Sequence, residues 1–351
     1  MVIPQAPLLQ TSSPPKPTDM SDGSGSVPET DEDLAQAIEM LERASSVTVL
    51  CHVQPDADTI GSGLALGSVL ERRGATVQVA FAAPASLPES MDELPGRHLL
   101  VDADRVTETV DLVVTVDAGS RGRLGSLGDR LDTASASLVI DHHRSNTRFG
   151  TLNVVHASAE STTAVIARLL DRWGVEIDAE LAHLLFAGLV TDTGSFRWVR
   201  PGSHLLAERL LATGIDGAHI ARKLLDTHPF DWLPMLGSVL GSASLIPDAA
   251  GGRGLVYAVI RSEDSAGLRS EEIESVIDIV RTTSEAEVAA VLKQQDFGSV
   301  WVVSLRSKTE VDVSAVACEL GGGGHRNAAG YTATGDLPDV IEALRGALSA
   351  S

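Results

Sequence analysis

Cysteine is almost absent from this chain: Cys51 and Cys318 are the only two in 351 residues, and they form no spaced pair. That excludes a disulfide framework, argues against structural zinc held by paired thiolates, and fits a reducing compartment. Aromatic residues make up 3% of the chain. Phe196, Trp198, Phe297 and Tyr331 are therefore read as core or rim residues rather than as a platform for stacked bases. Positive charge is scarce too, with 27 Lys and Arg against 48 Asp and Glu and a formal net charge of -21. A surface of that sign does not coat long duplex nucleic acid, although a short nucleotide could still be drawn into a local pocket. No apolar run long enough to span a membrane is present, nor a basic segment leading into an apolar one, so the expectation is a cytoplasmic protein with no membrane partner.

Hydrophobic residues reach 43%, ample for two domains. Residues 1–30 are rich in Pro, Ser, Thr, Asp and Gly and read as a disordered leader. Beyond it, 31–44 has helical spacing, 46–52 (SVTVLCH) is a short apolar strand ending on His52, 59–73 is helical and 76–80 a second strand. Strand 112–116 runs into Asp117 and strand 137–140 into Asp141, while the helical stretch 177–190 delivers Asp192. Alternating elements with polar groups gathered at the carboxyl ends of strands predict an α/β fold, a mostly parallel sheet covered on both faces, over 31–199. Residues 200–234 read as a helical connector. A second, smaller α/β domain is expected over 235–347, with strands at 235–246, 254–260, 288–294 and 298–305 and a helix at 270–279. Cys51 is placed as a buried strand residue, and Cys318 as a helix residue facing the core of the second domain.

The chemistry concentrates in the first domain. His52, Asp56 and Asp58 fall within seven residues, and Asp117, Asp141, His142, His143 and Asp192 each stand at or just beyond the end of an apolar run. Taken singly, Asp56 and Asp58 could be helix caps, Asp117 a turn residue, and the two histidines a polar strand end. Their repetition at element ends, where open α/β sheets build their sites, favours a metal cluster. Mixed imidazole and carboxylate donors suit Mn²⁺, Fe²⁺ or Zn²⁺ better than an all-oxygen magnesium site. The donors are too many for one ion, and would serve two about 3.5 to 4 Å apart that share a carboxylate. Ser62 and Ser120 read as small turn or helix-start residues, not nucleophiles.

In the second domain, Gly322, Gly323 and Gly324 belong to a run of four glycines that leads into His325 and Arg326. Glycine lets the backbone approach an anion, and the two side chains add charge, although a bare glycine run could equally be a helix C-cap. Arg306, after an apolar strand, is a further phosphate candidate, because guanidinium pairs well with oxyanions.

HVQPDADTIGS, VDAGS, DHHRSN and GLVTDTGSF, in that order, resemble the four motifs of the DHH phosphoesterase superfamily, and RSKTEVDVSAVACELGGGGHRNAAG resembles the substrate-binding end of its DHHA1 domain. By layout the chain is similar to the oligoribonuclease and PAP phosphatase branch, whose actinobacterial members also hydrolyse cyclic di-AMP or its linear product. The resemblance implies two manganese ions: His52 and Asp56 would hold the first, Asp58, His142 and Asp192 the second, and Asp117 would bridge them. It gives His143 the scissile phosphate, Asp141 the orientation of a histidine, and Arg306, Gly322, Gly323, Gly324, His325 and Arg326 the far part of the nucleotide, with the active cleft between the domains. The implied substrates are short: nanoRNA, pApA or cyclic di-AMP, and 3'-phosphoadenosine 5'-phosphate. The resemblance also implies a homodimer, for which the apolar helices 161–170 and 181–189 are candidate faces, although the same faces could equally be ordinary core. Two other readings compete, a manganese-dependent inorganic pyrophosphatase and a nucleotide-sensing protein without turnover.

Overall fold

The computed structural model describes residues 31–84, 86–295 and 298–350; the leader expected over 1–30 lies outside the described residues. The first half contains α1 (Asp31–Arg43), β1 (Ser46–Leu50), α2 (Ala57–Arg72), β2 (Thr76–Ala80), β3 (Leu112–Val116), α3 (Arg130–Thr133), β4 (Ala136–Asp141), β5 (Leu152–Val155), α4 (Thr162–Arg172), α5 (Ala179–Asp192), α6 (Ser203–Leu211) and α7 (Gly217–Leu225). Its five strands are all parallel, in the order β2-β1-β3-β4-β5.

Side chains alternate across each strand, and both faces of this sheet are buried. Val47 and Val49 of β1 and Val114 and Val116 of β3 pack into a core shared with α1, α2, α4 and α5. Leu50 and Val113 face the other way, onto Leu124 and Leu127 of the loop after β3. Such strands read as continuous apolar runs, which is why they were visible in the sequence.

The second half contains α8 (Trp232–Gly241), β6 (Ser244–Ile246), α9 (Ala249–Gly252), β7 (Leu255–Ile260), α10 (Ser270–Val280), β8 (Val288–Gln295), β9 (Val300–Ser307), α11 (Val313–Glu319), β10 (Gly323–His325), β11 (Ala328–Thr334) and α12 (Leu337–Ala350). Its six strands follow the order β10-β11-β9-β8-β7-β6, antiparallel except where β7 meets β8. One face packs on α11 and α12, the other on α8 and α10.

Four expectations change. The strand expected over 235–246 is mostly helix: α8 buries Met235 and Val239, four residues apart, before the short β6. A short apolar run does not by itself tell strand from helix. This helix crosses the expected boundary between 234 and 235 and packs with β7 and α10, whereas Ala207, Leu210 and Ile220 of the expected connector join the first core. Cys318 is exposed rather than core-facing, because α11 turns Val313, Val316 and Ala317 inward and leaves Cys318 on the opposite side. Helices α4 and α5, offered as dimer faces, are buried within the chain itself, with Val165, Ile166, Leu169, Leu181 and Leu189 all 0% exposed. Their apolar sides pack within the chain, the ordinary-core alternative for these two helices.

Helix α2 is buried from Ala57 to Leu70 and lies against α5 at very short range. A Cβ at Gly61 would stand 2.5 Å from the Leu184 carbonyl oxygen. Gly61→Ala is therefore expected to destabilise the fold by about 1–3 kcal/mol, through overpacking. Gly346→Ala, in the open on α12 with no atom within 4 Å, should stabilise it by roughly 0.5–1 kcal/mol. Urea unfolding midpoints at unchanged slope check the pair, and a neutral Gly61→Ala would contradict the close approach of α2 and α5.

Candidate metal centre

From β1 the chain moves outward to β2 and then returns to β3 on the other side of β1, so a crevice opens where the carboxyl ends of β1 and β3 diverge. His52 lies two residues past β1 and Asp117 directly after β3, while Asp141 ends β4. Asp117 is held at φ 58°, a left-handed conformation that costs a non-glycine residue about 1 kcal/mol or more. Gln54, Ser195 and Phe196 share positive φ in the loops beside it. Strain gathered around one crevice is the usual mark of side chains being aimed.

Three groups of donors, each with ligand atoms within 4.8 Å of one another, come together here: His52, Asp56 and Asp117; Asp58, His142 and Asp192; and Asp117, His142 and His143. Asp117 and His142 interlock them. Asp117 Oδ2 is 3.4 Å from His52 Nε2, and Asp117 Oδ1 is 3.6 Å from His142 Nε2 and 3.5 Å from His143 Nδ1. His52 Nε2 is also 3.5 Å from Asp56 Oδ2, and His142 Nε2 is 3.1 Å from Asp192 Oδ2. Asp56 does two things at once: its Oδ1 caps α2 by accepting from the Asp58 and Thr59 amides, while its Oδ2 turns toward His52.

The ring orientations bear on whether a cation fits. His52 Nδ1 lies 2.9 Å from the Val53 carbonyl and His142 Nδ1 lies 3.3 Å from the Ala159 carbonyl. A carbonyl can only accept, so both Nδ1 atoms carry the proton and both Nε2 atoms are left toward the carboxylates. Imidazoles that ligate metals are held in this way. The Arg123 guanidinium also approaches His52 Nδ1, at 3.2 Å; both are donors, so the shorter carbonyl contact decides the tautomer.

Charge points the same way. Burial opposes a proton on His52, but Asp56 and Asp117 outweigh it and hold its pKa up to about 10. Burial together with Asp192 and Asp117 drives the Asp58 carboxyl well above the usual carboxylate range, and desolvation with Asp117 raises Asp192. Against the effect of burial, His52 holds the Asp56 carboxyl well below the usual range, but Asp58 and Asp192, which resist ionisation beside imidazoles that hold protons, describe a cluster short of positive charge on their side. Divalent ions fit such a donor set. Cys51 takes no part, since burial pushes its thiol up to about 12.

Asp141 stands behind the donors, outside all three groups. Its Oδ1 accepts from His143 Nδ1–H at 2.7 Å and from the His142 amide at 2.8 Å, and its Oδ2 accepts from Asn146 Nδ2 at 2.6 Å. Asn146 was not anticipated, nor were Ser161, Thr162 and Thr163, which open α4 against the cluster. Thr162 donates its hydroxyl to Asp117 Oδ1 at 2.8 Å, and the Thr162 and Thr163 amides reach Asp58 at 2.6 and 2.8 Å. The signal available in the sequence was a Ser-Thr-Thr cap ahead of an apolar helix, which tells where a helix begins but not what its first turn faces.

The residues expected to bind the far part of a substrate lie on the second sheet. Arg306, on β9, donates to the Leu305 carbonyl at 3.0 Å, and Asp278, Glu274 and Arg281 lie in its electrostatic neighbourhood. Gly322, Gly323 and Gly324 enter the β10–β11 hairpin rather than a loose loop, with His325 closing β10. A Cβ at Gly322 would stand 2.1 Å from the Gly330 carbonyl, so packing alone demands glycine there. Arg326 is turned toward the Glu310 carbonyl, at 3.3 Å, and Asp312, at 3.7 Å. Between the halves, the Arg281 guanidinium lies 4.4 Å over the ring of Trp198, six residues after Asp192, and Arg269 pairs with Glu89.

Comparison with known proteins gives the following. The profile of the DHH family, N-terminal domain, matches residues 46–189, and that of the DHHA1 domain matches residues 251–350. A bifunctional oligoribonuclease and PAP phosphatase NrnA of Thermus thermophilus is 30% identical over 92% of this chain and 97% of its own. A cyclic-di-AMP phosphodiesterase GdpP of Geobacillus thermodenitrificans is 25% identical over 88% of this chain and 48% of its own. The crystal structure of an exopolyphosphatase-related protein from Bacteroides fragilis superposes with a TM-score of 0.81 at 24% identity, over 92% of this chain and 97% of that one, and so shares the fold.

A cluster short of positive charge should be stabilised by cations. Saturation with Mn²⁺ at a hundredfold excess over its dissociation constant is expected to add about 2.7 kcal/mol of stability per site, and EDTA to remove it. Asp192→Asn should lose a large part of that gain. Thermal melts with and without Mn²⁺ read both effects, and a wild-type melting temperature indifferent to the ion would contradict the reading.

Proposed function

The chain belongs to the DHH phosphoesterase family, with a DHHA1 domain following the DHH domain, and from that premise we propose that its substrates are short nucleotides: nanoRNA, pApA or cyclic di-AMP, and 3'-phosphoadenosine 5'-phosphate. That it is a hydrolase of nucleotide phosphoesters follows from the family and from the relatives named oligoribonuclease, PAP phosphatase and cyclic-di-AMP phosphodiesterase. The observation that carries the reading is the set of three donor groups interlocked through Asp117 and His142 at the mouth of the parallel sheet.

In this reading His52, Asp56 and Asp117 would hold one divalent ion, and Asp58, His142 and Asp192, with Asp117 shared, a second; the donor set suits manganese, iron or zinc, and the family resemblance favours manganese. When bound, such ions supply an activated water at neutral pH and neutralise charge on the phosphoryl oxygens. The protein's own part is orientation. Asp141 fixes the His143 ring through Nδ1, which leaves Nε2 as the nitrogen that meets the substrate, where it stabilises a phosphoryl oxygen or assists the leaving oxygen. Asn146 and the His142 amide keep Asp141 in place. Neither cysteine nor serine is called on as a nucleophile.

Short substrates follow from the division of labour between the halves. Arg306 and the hairpin carrying Gly322, Gly323, Gly324 and His325 are assigned to a terminal phosphate or nucleoside, with Arg326 beside them. Support comes from Arg281, which lies within electrostatic reach of Arg306 and also stacks on Trp198 in the loop after Asp192. A recognition site at a set distance from the cleavage site measures length, and the net charge of -21 disfavours long polymers that gain from extended phosphate contacts. A cytoplasmic homodimer belongs to the same reading; no helix among the described residues is long and apolar enough to cross a membrane.

Initial rates with Mn²⁺ on pApA, cyclic di-AMP, 3'-phosphoadenosine 5'-phosphate, RNAs of graded length and pyrophosphate test it, with Asp117→Ala as the blank. Short nucleotides are expected to turn over fastest. Loss of a residue that only supports a ligand costs ~10–100-fold, so Asp117→Ala should lose at least about 100-fold. Dominant pyrophosphate hydrolysis would transfer the protein to the pyrophosphatase reading, and tight binding without turnover would make it a sensor.

A further inference from the structure

Asp58 is 0% exposed, and a carboxylate so placed needs every oxygen accounted for. Its Oδ1 accepts from the Thr163 amide at 2.8 Å and from the Thr163 hydroxyl at 2.7 Å, and its Oδ2 accepts from the Thr162 amide at 2.6 Å. A carboxylate offers roughly four lone-pair directions. Oδ1 is saturated, and it also lies against α5, where a Cβ at Gly188 would stand 2.5 Å from it. One direction on Oδ2 is left for a cation.

The hydroxyls form a directed chain. Ser161 Oγ accepts from the Ala164 amide at 3.0 Å and lies 2.9 Å from Thr163 Oγ1. Thr163 Oγ1 gives its proton to Asp58, so the Ser161 hydroxyl must donate to Thr163. The Thr162 hydroxyl, by contrast, goes to Asp117 Oδ1. Two adjacent side chains on one helix turn thus hold two different carboxylates, one belonging to a single donor group and one shared between groups.

We propose that Thr162 and Thr163 are positioning residues with separate effects: the Thr163 hydroxyl sets the cation affinity of the position formed by Asp58, His142 and Asp192 alone, whereas the Thr162 hydroxyl, acting through Asp117, sets the affinity of both positions. This rests on the two-cation reading above. Valine keeps the shape of threonine and the backbone amides while deleting the hydroxyl, so Thr162→Val removes the bond to Asp117, and Thr163→Val removes the bond to Asp58 together with the one accepted from Ser161.

The test is calorimetric titration of the metal-stripped full chain with Mn²⁺. Asp192→Asn and Asp56→Asn identify which step belongs to which position. Thr163→Val is expected to weaken one step by ~10–100-fold and leave the other in place, and Thr162→Val to weaken both, these being typical costs of losing a partner of a metal ligand. Thr163→Ser and Thr162→Ser, which keep the donor, should restore wild-type binding. Melting in EDTA verifies folding, and alanine replaces valine if valine disturbs it. Equal weakening of both steps by Thr163→Val, no weakening by either valine variant, or serine variants as weak as valine would each overturn the proposal. A wild-type protein that binds one ion would bring down the two-cation reading and this inference with it, an outcome distinct from two ions that ignore the threonines.

Discussion

The buried carboxylate of Asp58 ties fold and site together. Left alone inside a protein, an ionised carboxylate costs several kcal/mol, and only donors arranged around it can offset that cost. Here the donors come from the first turn of α4, and the space comes from α5, which passes so close that position 188 admits no side chain. Helix α2, which carries Asp58, can reach that depth because it approaches α5 across Gly61. Packing of three helices and placement of one candidate donor are thus a single event, and a change that loosens either loosens both.

Asp117 plays the complementary part on the sheet side. Its left-handed backbone stores a small strain that the parallel strands on either side of β3 sustain. In exchange its two oxygens point to different histidines, Oδ2 toward His52 and Oδ1 toward His142 and His143. A residue in an ordinary extended conformation would continue the strand direction and turn its side chain to one face of the sheet. The strain sits where chemistry is to be done, and apolar packing on both faces of the first sheet sustains it.

Much of this was legible in the sequence. The strands at 46–50, 112–116 and 136–141 announced themselves because parallel strands buried on both faces are runs of Val, Leu and Ile, and the polar residues that end them stand out by contrast. The histidine and aspartate donors were legible for the same reason. The second half was harder. Its mixed sheet includes short edge strands such as β10, written in glycine, and the run from 235 to 246 has the apolarity of a strand with the burial of a helix. Cys318 went astray by a fraction of a helical turn, and α4 and α5 looked like candidate dimer faces because apolar helices look alike whether their partner is the same chain or another.

The sequence by itself determined the donor types, their order, and their position at the ends of elements, because these depend on local periodicity and on residue chemistry. The motif resemblance implied a shared Asp117 and an Asp141 that orients a histidine; only the tertiary structure decided that Ser161, Thr162 and Thr163 face the cluster at all. The contacts of Thr162 and Thr163 reach Asp117 and Asp58 across 45 to 105 positions of the chain. Hydrogen bonds act over about 3 Å, so which donor meets which carboxylate is settled only when the core brings the segments together.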